Sequence, residues 1–356
     1  MSSDTATARK TLSLDPDPGP EEQARVEEPA FAFQGFSYRC RVVRQDAPHT
    51  EPLLILGGSS QNRHAWIRHE KWLTPWSTLV TVDLPGYGEA DFLPSRYGLD
   101  FLAGAVDHLL TTLGMDRVNL LGACFGGGIA LRFAQARPDR VARLAFAGMA
   151  ASVPDEYARS VPRWLGMLER GERAEFATEL IERFMSPLGS GRVRKHSVVS
   201  RLLYQQFMGQ SAQADRMSVE HIVRLMNHEW MRHSPVPAVP ALVMTGEHDS
   251  LCTPAMGREF AAALPGASFF TTIKETDHLV SVERMAEFSD LLARFCTDRP
   301  ITGLPYCTPV ERMGRATGPL AAPPRPAPGR TGAQAPARAA ASGSLGAPAG
   351  PGSARL

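Results

Sequence analysis

Val118-Asn119-Leu120-Leu121-Gly122-Ala123-Cys124-Phe125-Gly126-Gly127 reads as a buried strand running into a tight turn with Cys124 at its apex. The spacing Gly122-x-Cys124-x-Gly126 is a nucleophile-elbow pattern with sulfur at the reactive position. Such a strand-to-helix turn strains the backbone of the apex residue, and only small residues two before and two after it let strand and helix approach closely. Gly126, Gly127 and Gly128 suit that crowding. A buried structural cysteine beside a glycine-rich bend would carry the same letters, so the surrounding chain decides.

On either side, strand-like apolar runs alternate with helical patterns, the signature of a parallel sheet covered by helices. Phe31 to Phe36 and Tyr38 to Arg44 predict an opening hairpin, and Leu53 to Leu56 a short buried strand ending in Gly57-Gly58-Ser59-Ser60. Thr78 to Val82 follows, then Asp83-Leu84-Pro85-Gly86-Tyr87-Gly88, where proline and glycine force a loop. Asp100 is placed as the N-cap of a helix through Leu102, Val106, Leu109, Leu110 and Leu113. Beyond the elbow come a helix from Phe125 to Ala136 and a strand from Val141 to Gly148. The strand Pro240 to Gly246, helix Pro254 to Leu264, strand Ala267 to Ile273 and helix Val280 to Phe295 complete the alternation.

The fold class expected is therefore α/β, a mostly parallel doubly wound sheet, with residues 152–236 inserted as a helical cap between core segments 30–151 and 237–298. Residues 1–29 are polar and proline-interrupted, and 299–356 are rich in Ala, Pro, Gly and Arg. Both are read as disordered, a leader and a tail that cannot bury enough apolar surface to offset the entropy of ordering.

The 356 residues carry a formal net charge of +1, so nothing at the level of the whole chain points to nucleic acid. The N-terminus lacks the apolar core of a signal peptide, and no run approaches the roughly 20 apolar residues of a membrane span. Five cysteines without Cys-x-x-Cys spacing indicate neither a disulfide framework nor a zinc site. A reducing cytoplasm, no membrane and no metal are expected.

A thiol nucleophile needs a base, an acid that orients the base, and donors for an oxyanion. On sheets with a nucleophile elbow these follow in the order nucleophile, acid, histidine. Gly246-Glu247-His248-Asp249-Ser250 follows the strand after the cap, and Asp249 is assigned as the acid with Glu247 its competitor. Glu275-Thr276-Asp277-His278-Leu279 follows the last strand, which makes His278 the base. The oxyanion donors expected are the N–H of Phe125 together with that of Ser59 or Gly58.

With these residues placed, the chain from about Phe31 to Phe295 resembles the α/β-hydrolase superfamily. Gly57 departs from the histidine that many members carry there. The cysteine elbow, with Leu84-Pro85-Gly86-Tyr87-Gly88 and Tyr97-Gly98-Leu99-Asp100, is similar to trans-acting aminoacyltransferases of nonribosomal peptide pathways. That resemblance implies transfer of an acyl or aminoacyl group between phosphopantetheine thiols of carrier proteins in natural-product biosynthesis. No cofactor would be held by the chain itself, since phosphopantetheine arrives on the partner. The alternative is hydrolysis of a thioester, ester or lactone by the same Cys–His–Asp set.

Sulfur favours transfer on energetic grounds: a thiol attacking a thioester makes another thioester, which a second thiol can accept with little free-energy change. The helix N-terminus and His278 would lower the thiol pKa toward the reactive range. In the cap, Arg192, Arg194, Lys195, His196 and Arg201 form the densest basic run. It is either a solvated face or a surface for an acidic carrier. The cap aromatics and methionines, among them Trp164, Phe176, Phe184, Phe207 and Trp230, either pack its own core or line an acyl pocket.

Overall fold

Strands that are apolar along their whole length need cover on both faces, and alternate residues must feed two separate cores. The computed structural model meets that demand. It describes residues 25–59, 61–185, 191–232, 234–235, 237–264 and 266–313. Ten strands form one sheet: β1 (Arg25–Glu27), β2 (Ala30–Phe33), β3 (Phe36–Arg44), β4 (Leu53–Leu56), β5 (Leu79–Asp83), β6 (Val118–Ala123), β7 (Val141–Ala147), β8 (Ala241–Gly246), β9 (Ser268–Ile273) and β10 (Glu311–Arg312). Their order is β1-β3-β5-β4-β6-β7-β8-β9-β10, with β2 paired to β3. The run from β5 to β9 is parallel and the outer strands are antiparallel.

One face, with Leu54, Val80, Leu120 and Phe146, is covered by α2 (Leu99–Thr112), α3 (Phe125–Ala136) and α8 (Pro254–Ala262). The other, with Leu53, Ile55, Leu121 and Met244, meets α1 (Glu70–Leu73) and α10 (Met285–Cys296). Between β7 and β8 stand the four cap helices, α4 (Asp155–Glu169), α5 (Arg173–Phe184), α6 (His196–Met208) and α7 (Ala212–Asn227). Val161, Trp164, Met167, Phe176 and Phe207 make a cap core of their own. The cap is pinned to the loop before α2: the Arg224 guanidinium donates to the carbonyls of Tyr97 and Leu93 at 2.7 Å each, and His228 Nε2 lies 2.6 Å from the Ser95 carbonyl.

Four sequence expectations are corrected. The sheet begins inside the expected leader, because Arg25–Glu27 pairs antiparallel with Val42–Arg44. Residues 299–313 are packed rather than disordered: Ile301 and Cys307 are buried, Thr308 N–H donates to the Thr272 carbonyl, and Glu311 pairs with Phe270. Averaged with the Ala/Pro/Gly run that follows, these apolar residues lost their signal. The rest of both termini lies outside the described residues. Gly98, not Asp100, caps α2; Asp100 sits in the first turn and pairs with Arg132 at 2.8 Å. The last helix is broken at Arg284 into α9 (Val280–Glu283) and α10.

Candidate active site

In a parallel sheet the carboxyl ends of neighbouring strands open onto one crevice. Here β6 ends at Ala123, β8 at Gly246 and β9 at Ile273, so Cys124, Asp249 and His278 emerge at the same edge. Cys124 has φ 47 and ψ −119, a conformation rare for a residue with a side chain, and its N–H donates to the Ala147 carbonyl at 2.8 Å. The turn is possible only because Gly126 has no Cβ: one built there would lie 2.2 Å from the Leu56 carbonyl oxygen. Strain of this kind costs roughly 1–3 kcal/mol and persists where the surroundings over-determine it. α3 starts at the next residue, aiming its N-terminal N–H groups at the sulfur's surroundings.

His278 Nδ1 lies 3.0 Å from Asp249 Oδ2 and 3.2 Å from Oδ1, with both side chains buried. The carboxylate is held in turn by the Leu251 and Cys252 N–H groups at 3.0 and 2.7 Å. The imidazole is gripped between Gly148, whose would-be Cβ falls 2.8 Å from its Cε1, and the ring of Phe184, stacked at 5.6 Å and 10°. Burial alone would depress its pKa, but the charge of the hydrogen-bonded Asp249 carboxylate and the influence of the Cys124 sulfur raise it well above the ordinary value. The ring thus joins the two other residues, ready to hold a proton between them. Glu247, the competing acid, is engaged elsewhere: it accepts from the Glu275 N–H at 3.0 Å and lies 3.7 Å from His248.

The loops bearing acid and base are laced together. Asp277 Oδ1 accepts from the N–H groups of Ser250 and His278, and the His248 N–H donates to the Thr276 carbonyl. Behind them, the break at Arg284 turns Glu283 back so that its carboxylate accepts from the Asp277 N–H at 2.7 Å and the Leu279 N–H at 3.2 Å. Burial lifts the Glu283 pKa from 4.5 to about 7, with the Asp277 charge adding to the rise and these N–H groups opposing it. A carboxyl whose folded pKa is raised stabilises the fold below its unfolded value and loses that contribution as pH climbs through the folded one. Wild-type stability minus that of Glu283→Gln is therefore expected to fall by about 3 kcal/mol between pH 4.5 and 8.5. Denaturant midpoints across that range check it, and a flat difference refutes it.

The two early-loop candidates differ. The Gly58 N–H is already taken by Gln61 Oε1 at 2.8 Å, whereas Ser59 lines both cavities that meet at Cys124. One cavity, ≈ 60 Å³, lies under the cap among Tyr157, His221, Ile222, Leu225 and Trp230. The other, ≈ 290 Å³, runs toward α6 and α9 past Gln61, Val199, Leu202 and Val280. Phe184 and Cys124 border both. Of the cap aromatics, Trp164 and Phe176 belong to the cap's own core, while Phe184 and Trp230 face the site. Arg192, Arg194, Lys195 and Arg201 are exposed at and just before α6, the helix that lines the larger cavity, and the Arg194 N–H donates to the Glu275 carbonyl. The structure does not bring these four to Cys124.

Sequence reasoning overlooked His221, Glu283 and Gln61. Only His221 carried a signal: it stands four residues after Met217 and one before Ile222, on the buried face of α7. Glu283 lay hidden in an expected continuous helix, and Gln61 depends on a turn that periodicity does not register.

Residues 51–284 match the family model described as the alpha/beta hydrolase fold. The chain is 24% identical over 250 residues to the dihydrolipoyllysine-residue acetyltransferase component of the acetoin cleaving system of Pseudomonas putida, covering 68% of this chain but only 63% of that protein. It is 23% identical over 259 residues to a 2-hydroxy-6-oxononadienedioate/2-hydroxy-6-oxononatrienedioate hydrolase of Paraburkholderia phymatum, covering 69% of this chain and 86% of that one. Among solved structures, the enol-lactonase of Burkholderia xenovorans superposes with a TM-score of 0.64 at 22% identity, over 76% of this chain and 100% of that one. No helix among the described residues is long and apolar enough to cross a membrane.

Proposed function

The chain belongs to the α/β-hydrolase fold family, and we propose that it is a cysteine-dependent hydrolase of small esters, lactones or thioesters, working through an acyl-Cys124 intermediate. The observation that carries this is His278, with Nδ1 3.0 Å from Asp249 Oδ2 and its ring under the electrostatic influence of the Cys124 sulfur, which emerges at the same edge of the sheet. The hydrolase name of the Paraburkholderia phymatum relative supports cleavage by water, while the acetyltransferase component of Pseudomonas putida among the relatives points toward transfer.

The sulfur attacks the acyl carbon as His278 takes its proton. The oxyanion that forms is met by the N–H groups of Phe125 and Ser59, since Gly58 has spent its own on Gln61. Collapse breaks the bond to the leaving group, which departs with the proton from His278. Water then attacks the thioester, His278 accepts its proton, and the carboxylic acid leaves as sulfur recovers a proton. Asp249 keeps the imidazole in the required tautomer and orientation throughout. Two cavities meeting at one sulfur suit this division, with the acyl group under the cap and the leaving group or incoming nucleophile on the α6 side.

A second reading, acyl transfer between phosphopantetheine thiols of carrier proteins, is favoured by one specific feature: the nucleophile is sulfur, whose acyl-enzyme is itself a thioester. The exposed Arg192, Arg194, Lys195 and Arg201 beside the larger cavity would then receive an acidic carrier.

One experiment separates the readings. The full chain is mixed with butyryl-N-acetylcysteamine, or with a butyryl-loaded carrier plus an unloaded one, and all species are followed by intact-protein mass spectrometry. Butyryl on Cys124 with release of butyrate supports hydrolysis. Butyryl appearing on the second carrier supports transfer, and Arg194→Glu with Lys195→Glu should then raise KM for the carrier several-fold but not for the small thioester. No adduct with any acyl donor overturns both.

A further inference from the structure

His221, on cap helix α7, is 2% exposed and lines the smaller cavity together with Cys124, yet neither of its ring nitrogens makes a hydrogen bond among the described residues. The backbone of Gly86 and of Ser59 lies near the ring without reaching hydrogen-bond geometry and pulls only weakly against the other influences on it. Leaving a buried polar group unpaired is costly, so one that faces a cavity at the reactive sulfur calls for a partner that enters the cavity.

The ring is held firmly. It lies parallel to Phe125, at 5.3 Å between centroids and 5° between planes, and against Tyr87 at 4.4 Å. Phe125 is the residue after the nucleophile, so this stack places the imidazole edge beside the acyl group that Cys124 would carry. Burial, aided by the nearby Arg224 charge, depresses the His221 pKa to about 3, and the ring is neutral at ordinary pH. A neutral imidazole offers one donor and one acceptor. The rest of that cavity is largely apolar, with Ile222, Leu225, Trp230 and Leu251.

We propose that His221 is the specificity-determining residue of the acyl pocket, pairing with a neutral group that can both donate and accept, such as a hydroxyl or carboxamide on the acyl chain. The proposal rests on the acyl-Cys124 reading above. A site built to pair a polar substituent discriminates strongly against the analogue that lacks it. An anionic substituent could take only the single N–H of an uncharged ring and would leave the other nitrogen unpaired. Arg224, the adjacent cation, does not line the cavity; its Nε and Nη2 donate to the carbonyls of Tyr97, Leu93 and Pro94, and its Nη1 is buried without a hydrogen bond among the described residues.

The test compares p-nitrophenyl butyrate with its 2-, 3- and 4-hydroxy and 4-carboxamide analogues on wild type and His221→Phe. Phenylalanine keeps the stack on Phe125 and removes both nitrogens. For at least one polar analogue, wild-type kcat/KM should exceed that for butyrate, and in the variant the ratio of kcat/KM for that ester to kcat/KM for butyrate should fall about 10- to 100-fold. The variant should also melt at or above the wild-type temperature, since two unpaired buried atoms are gone. Equal losses on all esters, or wild-type indifference to the polar group, overturn the inference while acylation of Cys124 still stands. Failure of every ester to acylate wild-type Cys124 overturns both.

Discussion

Cys124→Ala is expected to fold and melt like wild type, to take up no acyl group, and to lose at least about 10⁴ in kcat/KM, the scale on which removal of a triad nucleophile acts. The sulfur is the only atom changed, and the residue's backbone is fixed by the Ala147 carbonyl and the Gly126 close approach rather than by the thiol. Cys124→Gly is expected to be equally inactive yet about 1 kcal/mol or more stabler than Cys124→Ala, because only glycine adopts φ 47, ψ −119 without strain. Thermal melts beside acylation measured by mass spectrometry read both effects. Full turnover in Cys124→Ala would remove the sulfur from the chemistry, and a glycine variant less stable than the alanine one would refute the strain. Cys124→Ser is the chemical counterpart: its acyl-enzyme is an oxyester, so any transfer to a thiol becomes uphill while release to water stays open. A serine variant that still loads a second thiol as well as wild type would therefore remove the energetic case for transfer.

The elbow and the order of the site residues were legible because each is fixed by local chemistry. Glycine two before and after Cys124 is a steric demand visible in the letters, and Asp249 and His278 follow apolar runs of strand length. The backbone N–H groups two and three residues on that hold the Asp249 carboxylate beside His278 are not displayed by the sequence. The cap was harder. Its helices are amphipathic, but which of their apolar residues turn inward and which roof the site depends on tertiary packing: Phe176 joins the cap core, and Phe184, two turns later on the same helix, stacks on His278. The ends were misjudged because composition is averaged over windows, and 299–313 is a short apolar clip followed by a long Ala/Pro/Gly run.

Gly246→Ala is expected to cost more than about 4 kcal/mol, lowering Tm by roughly 10 °C, and to reduce acylation of Cys124 at least a hundredfold. Gly246 closes β8, where the loop carrying the acid passes the loop carrying the base. A Cβ there would lie 2.0 Å from the Asp277 carbonyl oxygen and 2.7 Å from that of Thr276. Both are backbone atoms, so no side chain can swing aside. Relief requires moving residues 276–278 away from β8, which separates His278 from Asp249 and breaks the bonds from Ser250 and His248. A displacement near 1 Å in a reacting group is enough for such a loss in rate. Gly166→Ala is the matched control: its Cβ would meet only the end of the flexible Arg170 side chain at 3.0 Å, inside α4. There alanine should be neutral or stabilising by up to about 1 kcal/mol, since helix interiors favour it over glycine. Melting curves and the rate of acylation, measured on both variants, decide the matter. If Gly246→Ala matches wild type in both, the approach of the two loops does not set the geometry of the site.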